Sequence, residues 1–300
     1  MKKILCLFMA LFMIVSLAGC SESATENNKL SIVTASFPEY DFARAVAGNL
    51  AEIKMLIPPA GEVHGYEPTV SDVKAVGSCD LFIYTGGEST AWAEDILSSA
   101  NKPELSTIAT IECVDNLISE DGHKAKADEH IWTSPQNAIL IVKAIEAKLS
   151  EISPENKTVF ETNSKAYCEK LYELDKNIRT VTQNTDKDTL VFGDRFPLAY
   201  FAESFSLKHK SAFSGCSEDT EASASAIADL IDFVKENNIP VVFVNELSNT
   251  SIAEQIANET GAQVMTFYSC HKISKDDFEN NQTYVDIMSR NIESLKLALK

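Results

Sequence analysis

From residue 30 onward, short apolar runs alternate with stretches in which apolar residues recur every three or four positions. The run at 30–36 reads as a buried strand, 38–50 as a helix and 53–57 as a second strand, and 71–77 and 80–85 add a further helix and strand. The second half repeats the rhythm, with strands at 189–192, 211–213, 240–244 and 263–267 and helices at 197–205, 223–237 and 251–260. Strands that alternate with helices pair in parallel and are covered on both faces. Gly261 follows the last of these helices, where a left-handed residue closes a helix.

Between the halves, Ser134-Pro135 and Ser153-Pro154 each pair a good N-cap with a proline suited to the first helical position. They predict helices over 135–152 and 154–182. The second is free of glycine and of any proline after Pro154; Val159, Tyr167, Leu171, Leu174 and Ile178 are expected to form its apolar stripe. A helix of that length runs about 40 Å. The expected fold is therefore α/β, with two lobes that each hold a mostly parallel sheet flanked by helices, joined by one long rigid helix. The boundaries read as 29–153 for the first lobe, 154–184 for the linking helix and 185–300 for the second lobe.

The first 28 residues follow neither pattern. Lys2 and Lys3 precede an apolar run from Ile4 to Leu17, and Leu17-Ala18-Gly19 leads into Cys20. A charged start, an apolar middle and small residues before a cysteine make a lipoprotein signal over 1–19, cleaved before Cys20, whose thiol takes the lipid. The run is shorter than the roughly 20 residues that span a bilayer. Residues 20–28 form a polar tether. The processed chain is expected outside the cytoplasmic membrane, anchored through Cys20.

About 280 residues then remain, enough for two domains. The chain carries 26 basic and 44 acidic residues, a net charge of −18, and loss of Lys2 and Lys3 with the leader leaves −20. Such acidity argues against nucleic acid as a partner and favours cations. Cysteines 79, 113, 168, 216 and 270 form no Cys-x-x-Cys pair, so a thiolate zinc knuckle is not supported. Cys216 and Cys270 each follow a strand-like run and could bridge.

The histidines stand at 64, 123, 130, 209 and 271. His64 lies in a turn after the strand at 53–57, stiffened by Pro58, Pro59 and Pro68. A histidine held rigidly past the C-terminal end of a strand is where α/β proteins place binding groups, and it suggests a metal. Glu67 and Asp72 are near enough to support the ring or to cap the next helix. His123 reads as part of a plain polar loop.

The segment from His64 to Asp72, His-Gly-Tyr-Glu-Pro-Thr-Val-Ser-Asp, resembles the His-x-Tyr-Glu-Pro-x-x-Ser-Asp signature of the solute-binding lipoproteins that feed zinc or manganese to ABC importers, the cluster A-I family. Leu17 to Cys20, Glu129 to Pro135, Phe243 to Glu246 and Thr260 to Ala262 supply further landmarks in the same order. The resemblance implies a metal cleft between the lobes, with His64 and His130 as ligands. It places a third ligand just after the first strand of the second lobe, where this chain has Asp194 beside Arg195, and a fourth after the last strand, where it has Cys270-His271. Glu246 also points to the cleft mouth, although its family counterpart is supporting structure. Glu129 stands where the family usually has proline.

Imidazole-rich coordination favours zinc, whereas two histidines with two carboxylates would suit manganese. The resemblance thus implies a monomeric, lipid-anchored capture protein that hands a divalent ion to an ABC permease. The rival from another class is an extracytoplasmic zinc hydrolase, but the chain lacks His-Glu-x-x-His, Gly-x-Ser-x-Gly and a phosphate-cradling glycine loop.

Overall fold

The computed structural model describes residues 29–100, 102–119, 127–183, 185–213 and 222–300. The expected leader, the tether with Cys20, His123 and Cys216 lie outside the described residues. In the first lobe, strands β1 (Leu30–Thr34), β2 (Ala51–Met55), β3 (Leu81–Tyr84) and β4 (Ser106–Ala109) form a parallel sheet in the order β2-β1-β3-β4. Helices α1 (Phe37–Ala47), α2 (Val70–Ser78) and α3 (Ala91–Ala100) connect them. All four residues of β3 are buried, as a strand covered on both faces requires.

Helix α4 (Pro135–Ile152) starts at Ser134, whose hydroxyl accepts from the Asn137 amide. After a 3-10 turn at Pro154–Asn156, α5 (Lys157–Thr182) runs 26 residues between the lobes. The second lobe repeats the first, with β5 (Thr189–Phe192), β6 (Lys208–Ser211), β7 (Val241–Asn245) and β8 (Gln263–Phe267) parallel in the order β6-β5-β7-β8. Helices α6 (Ala199–Ser204), α7 (Ala224–Glu236) and α8 (Ser251–Thr260) link these strands, and α9 (Lys275–Glu279), α10 (Tyr284–Ser289) and α11 (Asn291–Ala298) complete the chain. Gly261 caps α8 at φ +79°.

Two sequence expectations need correction, and the C-terminal helices add to them. Val159 is 43% exposed and does not belong to the stripe of α5. The buried positions include Phe160, Ser164, Tyr167, Leu171, Leu174 and Ile178, whose spacing of three and four keeps one face, whereas Val159 lies eight residues before Tyr167 and rotates off it. The second strand of the second lobe lies at 208–211 rather than 211–213; it is an edge strand reading Lys-His-Lys-Ser, and its exposed lysines hide it from an apolar pattern while guarding the edge. The helices after residue 274 carry no strand-alternating signal and were not anticipated.

A single apolar cluster runs from Ile32 and Phe42 in the first lobe, through Ile141 on α4 and Leu171 on α5, to Phe192, Phe243 and Tyr284 in the second. Each fully buried phenylalanine there contributes about 1.5–3 kcal/mol. The lobes therefore share one core on this side and face each other with the C-terminal ends of their strands, where both sheets reverse strand order. No helix among the described residues is long and apolar enough to cross a membrane.

Candidate metal centre

Five loops that follow strand ends meet in the cleft. His64 follows β2, His130 follows β4, Asp194 follows β5, Glu246 follows β7 and His271 follows β8. The turn before His64 is closed by Gly61 N–H donating to the Pro58 carbonyl at 2.8 Å. Beyond it, Thr69 and Asp72 form a reciprocal capping box at the start of α2, and Asp72 also accepts from Tyr66 Oη at 2.9 Å and Lys54 Nζ at 3.1 Å. Asp72 thus fixes the outgoing chain rather than the His64 ring.

His64, His130 and His271 each present a ring nitrogen, and these three atoms lie within 4.8 Å of one another. The ring centroids are 4.9 Å apart for His130 and His271, 5.0 Å for His64 and His271 and 5.7 Å for His64 and His130. Asp128 Oδ1 accepts from the His130 backbone N–H at 2.8 Å and stands 2.9 Å from its Nδ1. That carboxylate orients the ring and leaves Nε2 for the cleft. Burial opposes the charge on Asp128 most strongly, but the side-chain and backbone hydrogen bonds and the charge of His130, with the charge of His64, together outweigh it and hold the carboxyl below the usual range. His64 Nε2 is buried without a hydrogen-bond partner among the described residues, an unmet donor or acceptor at the centre of the cluster.

Burial pushes the His64 ring below its ordinary value of 6.5, and burial plus the two neighbouring rings push His271 well below it. Both favour the neutral, metal-ligating form. A cavity of roughly 50 Å³, about the space of a water or a small ion, opens beside His64 and His271 and is lined also by Glu62, Asp194 and Glu246.

Asp194 and Glu246 share this cavity but are not among the three clustered donors. Asp194 Oδ1 accepts from the Arg195 N–H at 2.8 Å, and Oδ2 accepts from the Asn245 backbone and side-chain amides at 2.9 and 3.0 Å, so the carboxylate pins the end of β5 to the end of β7. Glu246 is buried and accepts from Ser269 N–H at 2.8 Å, Ser269 Oγ at 2.9 Å and Lys272 N–H at 3.2 Å. It shapes the loop that carries His271. Within that loop Cys270 adopts φ +58°, a left-handed conformation that a cysteine rarely takes, and its Sγ lies 4.0 Å from the Tyr284 carbonyl in the apolar core. Its thiol is free and fully buried, and burial raises its pKa well above the usual range.

Sequence reasoning missed three supports. Asp128, two residues before His130, carried a legible signal in its spacing. Trp132 Nε1 donates to the Ser269 carbonyl at 3.0 Å, joining the His130 and His271 loops. Glu129 accepts from the Ser89 N–H at 2.8 Å and fastens the loop after β3. His209 is remote in role, stacked on Phe196 at 3.7 Å.

Two like lobes with a trihistidine cluster in the cleft between them define a two-domain binding protein for a small cation. The family described as "ZnuA: Zinc-uptake complex component A periplasmic" matches residues 32–298. The chain belongs to that family, whose members are binding components of an uptake complex rather than enzymes. It is 31% identical over 307 residues to the zinc-binding lipoprotein AdcA of Streptococcus pneumoniae, a match covering 99% of this chain and 61% of that longer protein. The high-affinity zinc uptake system protein ZnuA of Bacillus subtilis is 30% identical, with 97% of this chain and 95% of that one covered. The crystal structure of the Zn(II)-bound ZnuA-like domain of S. pneumoniae AdcA superposes with a TM-score of 0.78 at 30% identity, covering 91% of this chain and 99% of that domain.

Proposed function

We propose that this protein is an extracytoplasmic solute-binding protein, anchored by lipid on Cys20, that captures zinc and delivers it to the permease of an ABC importer. The observation that carries this reading is the cluster of His64, His130 and His271 in the interlobe cleft of a chain from a zinc-uptake family. Three imidazoles suit zinc in four-coordinate geometry better than manganese, which favours oxygen donors. In this reading the imidazoles hold the ion, while Asp194 and Glu246 brace the second-lobe loops with carboxylates already engaged by N–H donors. The lobes at 29–153 and 185–300 and the linking helix at 154–184 then act as a rigid frame, and the anchor keeps a monomer near its permease.

Competitive titration of zinc and manganese by calorimetry tests this directly. Zinc is expected to bind one ion per chain with higher affinity than manganese, and His271→Ala is expected to lose most of that affinity. A preference for manganese with His271→Ala unaffected would move the site to Asp194 and Glu246; absence of binding by either metal would sink the transport reading.

A further inference from the structure

The cleft mouth carries a polar connection made by neither ligand nor core residues. Glu62, two residues before His64, accepts on Oε1 from the Val63 N–H at 3.0 Å and the His64 N–H at 3.1 Å. Its Oε2 forms an ion pair with Lys272 Nζ, and Lys272 directly follows His271. The two loops also meet through the Ala60 N–H, which donates to the Ile273 carbonyl at 2.8 Å. One carboxylate thus touches the backbone of one clustered histidine and the neighbour of another from the opposite lobe.

Deeper between the lobes the contact is different in kind. The apolar core that includes Ile131, Trp132, Phe201 and Tyr284 encloses the Trp132–Ser269 and Tyr284–Trp132 hydrogen bonds, and rigid-body opening would expose it to water. The side chains of Glu62 and Lys272 are 29% and 21% exposed, so parting them exposes little apolar surface and hydrates both charges. Local opening follows the connection that costs least to break. Charge adds a second consequence. An ammonium at the rim repels an approaching divalent cation, and the Glu62 carboxylate paired with it offsets that repulsion.

We propose that the Glu62–Lys272 ion pair is a clasp over the trihistidine site that sets how fast the ion leaves, with both side chains acting as positioning residues rather than ligands. This rests on the reading that the three histidines hold the ion. The clasp keeps the loops of His64 and His271 together; when it parts, the two rings separate and the ion is released.

The test is zinc dissociation followed by stopped flow into excess chelator, with affinity measured in parallel, for the protein and for Lys272→Gln, Glu62→Gln and the double variant. Loss of one partner of a partly buried charge pair acts mainly on dissociation, so Lys272→Gln is expected to release zinc about ten-fold faster. Its affinity falls less than its release rate rises, because removal of the ammonium speeds association. Glu62→Gln, which keeps the Lys272 ammonium and removes the carboxylate beside it, is expected to lose more affinity than Lys272→Gln. The double variant is expected to return to the level of Lys272→Gln, a coupling that two independent structural defects would not give. Wild-type release rates in Lys272→Gln, or additive losses in the double variant, would overturn the clasp. Failure of the parent protein to bind zinc would instead overturn the trihistidine reading, so the two failures are distinguishable.

Discussion

Trp132 Nε1 donates to the Ser269 carbonyl across the cleft at 3.0 Å, and both residues stand two positions from a clustered histidine. The indole is 3% exposed, and its own carbonyl accepts from Tyr284 Oη at 2.6 Å. The bond therefore fixes the distance between the His130 and His271 loops from inside the protein. Trp132→Phe keeps an aromatic ring but leaves the Ser269 carbonyl buried without its donor, which costs about 1–3 kcal/mol. Lower thermal stability of the metal-free protein together with about ten-fold weaker zinc binding is expected, the latter if roughly 1.4 kcal/mol of that cost falls on the site geometry. Unchanged zinc affinity in calorimetry would show that the loops hold their spacing without this bond.

Glu246 offers a sharper separation of support from coordination. Its two oxygens accept three hydrogen bonds from Ser269 and Lys272, so Glu246→Gln places an amide where donors already converge. As a support, it should weaken zinc binding while leaving the metal's nitrogen-dominated X-ray absorption spectrum unchanged. Loss of an oxygen scatterer in that spectrum would make Glu246 a ligand instead.

Strands β1, β3, β5 and β7 were legible in the sequence because a parallel strand buried on both faces must be a largely apolar run, and edge strand β8 was legible because Val264, Met265 and Phe267 stay apolar. Edge strand β6 was shifted because exposure lets it be Lys-His-Lys. His64 and His130 stood out because each lies in a contiguous motif. The roles of Asp194 and Glu246 were not readable in the same way: a carboxylate at a strand end looks the same in sequence whether its oxygens face a cavity or accept from Asn245 and Ser269. Trp132 and Lys272 lay beyond reach for a related reason, since their partners Ser269 and Glu62 are 137 residues away in one case and in the opposite lobe in both.

Close backbone approach gives a stability test independent of metal. A Cβ at Gly193 would stand 2.5 Å from Ala253 Cα and 2.7 Å from its backbone nitrogen, in the helix that packs on β7 and β8. Neither atom belongs to a flexible side chain, so Gly193→Ala is expected to destabilise the protein by about 1–3 kcal/mol. Chemical denaturation checks it, and a stability within error of the parent would mean that α8 can shift without penalty.

The depressed histidines give the metal-free protein a pH dependence whose sign can be worked out. Burial keeps His64 and His271 neutral in the folded state below the ordinary value of 6.5, whereas the unfolded chain takes up protons there. Between 6.5 and the lower folded values the unfolded state binds more protons, so stability falls as pH falls, by at most about 1.4 kcal/mol per pH unit for each ring. Glu39, Asp41, Glu129 and Glu246 act in the opposite sense, because burial raises them and the folded state takes up their protons first. The diagnostic is consequently a difference. His271→Gln should lose less stability than the parent when the metal-free protein is taken from pH 7.5 to 5.5, as read by denaturant melts. Zinc affinity of the parent should hold down to about pH 6.5, because the His64 and His271 rings are already neutral, and fall only where protons displace the ion. Parallel stability curves for parent and variant would show that His271 is not held neutral by the cleft, and an affinity already falling above pH 7 would show the same for the site as a whole.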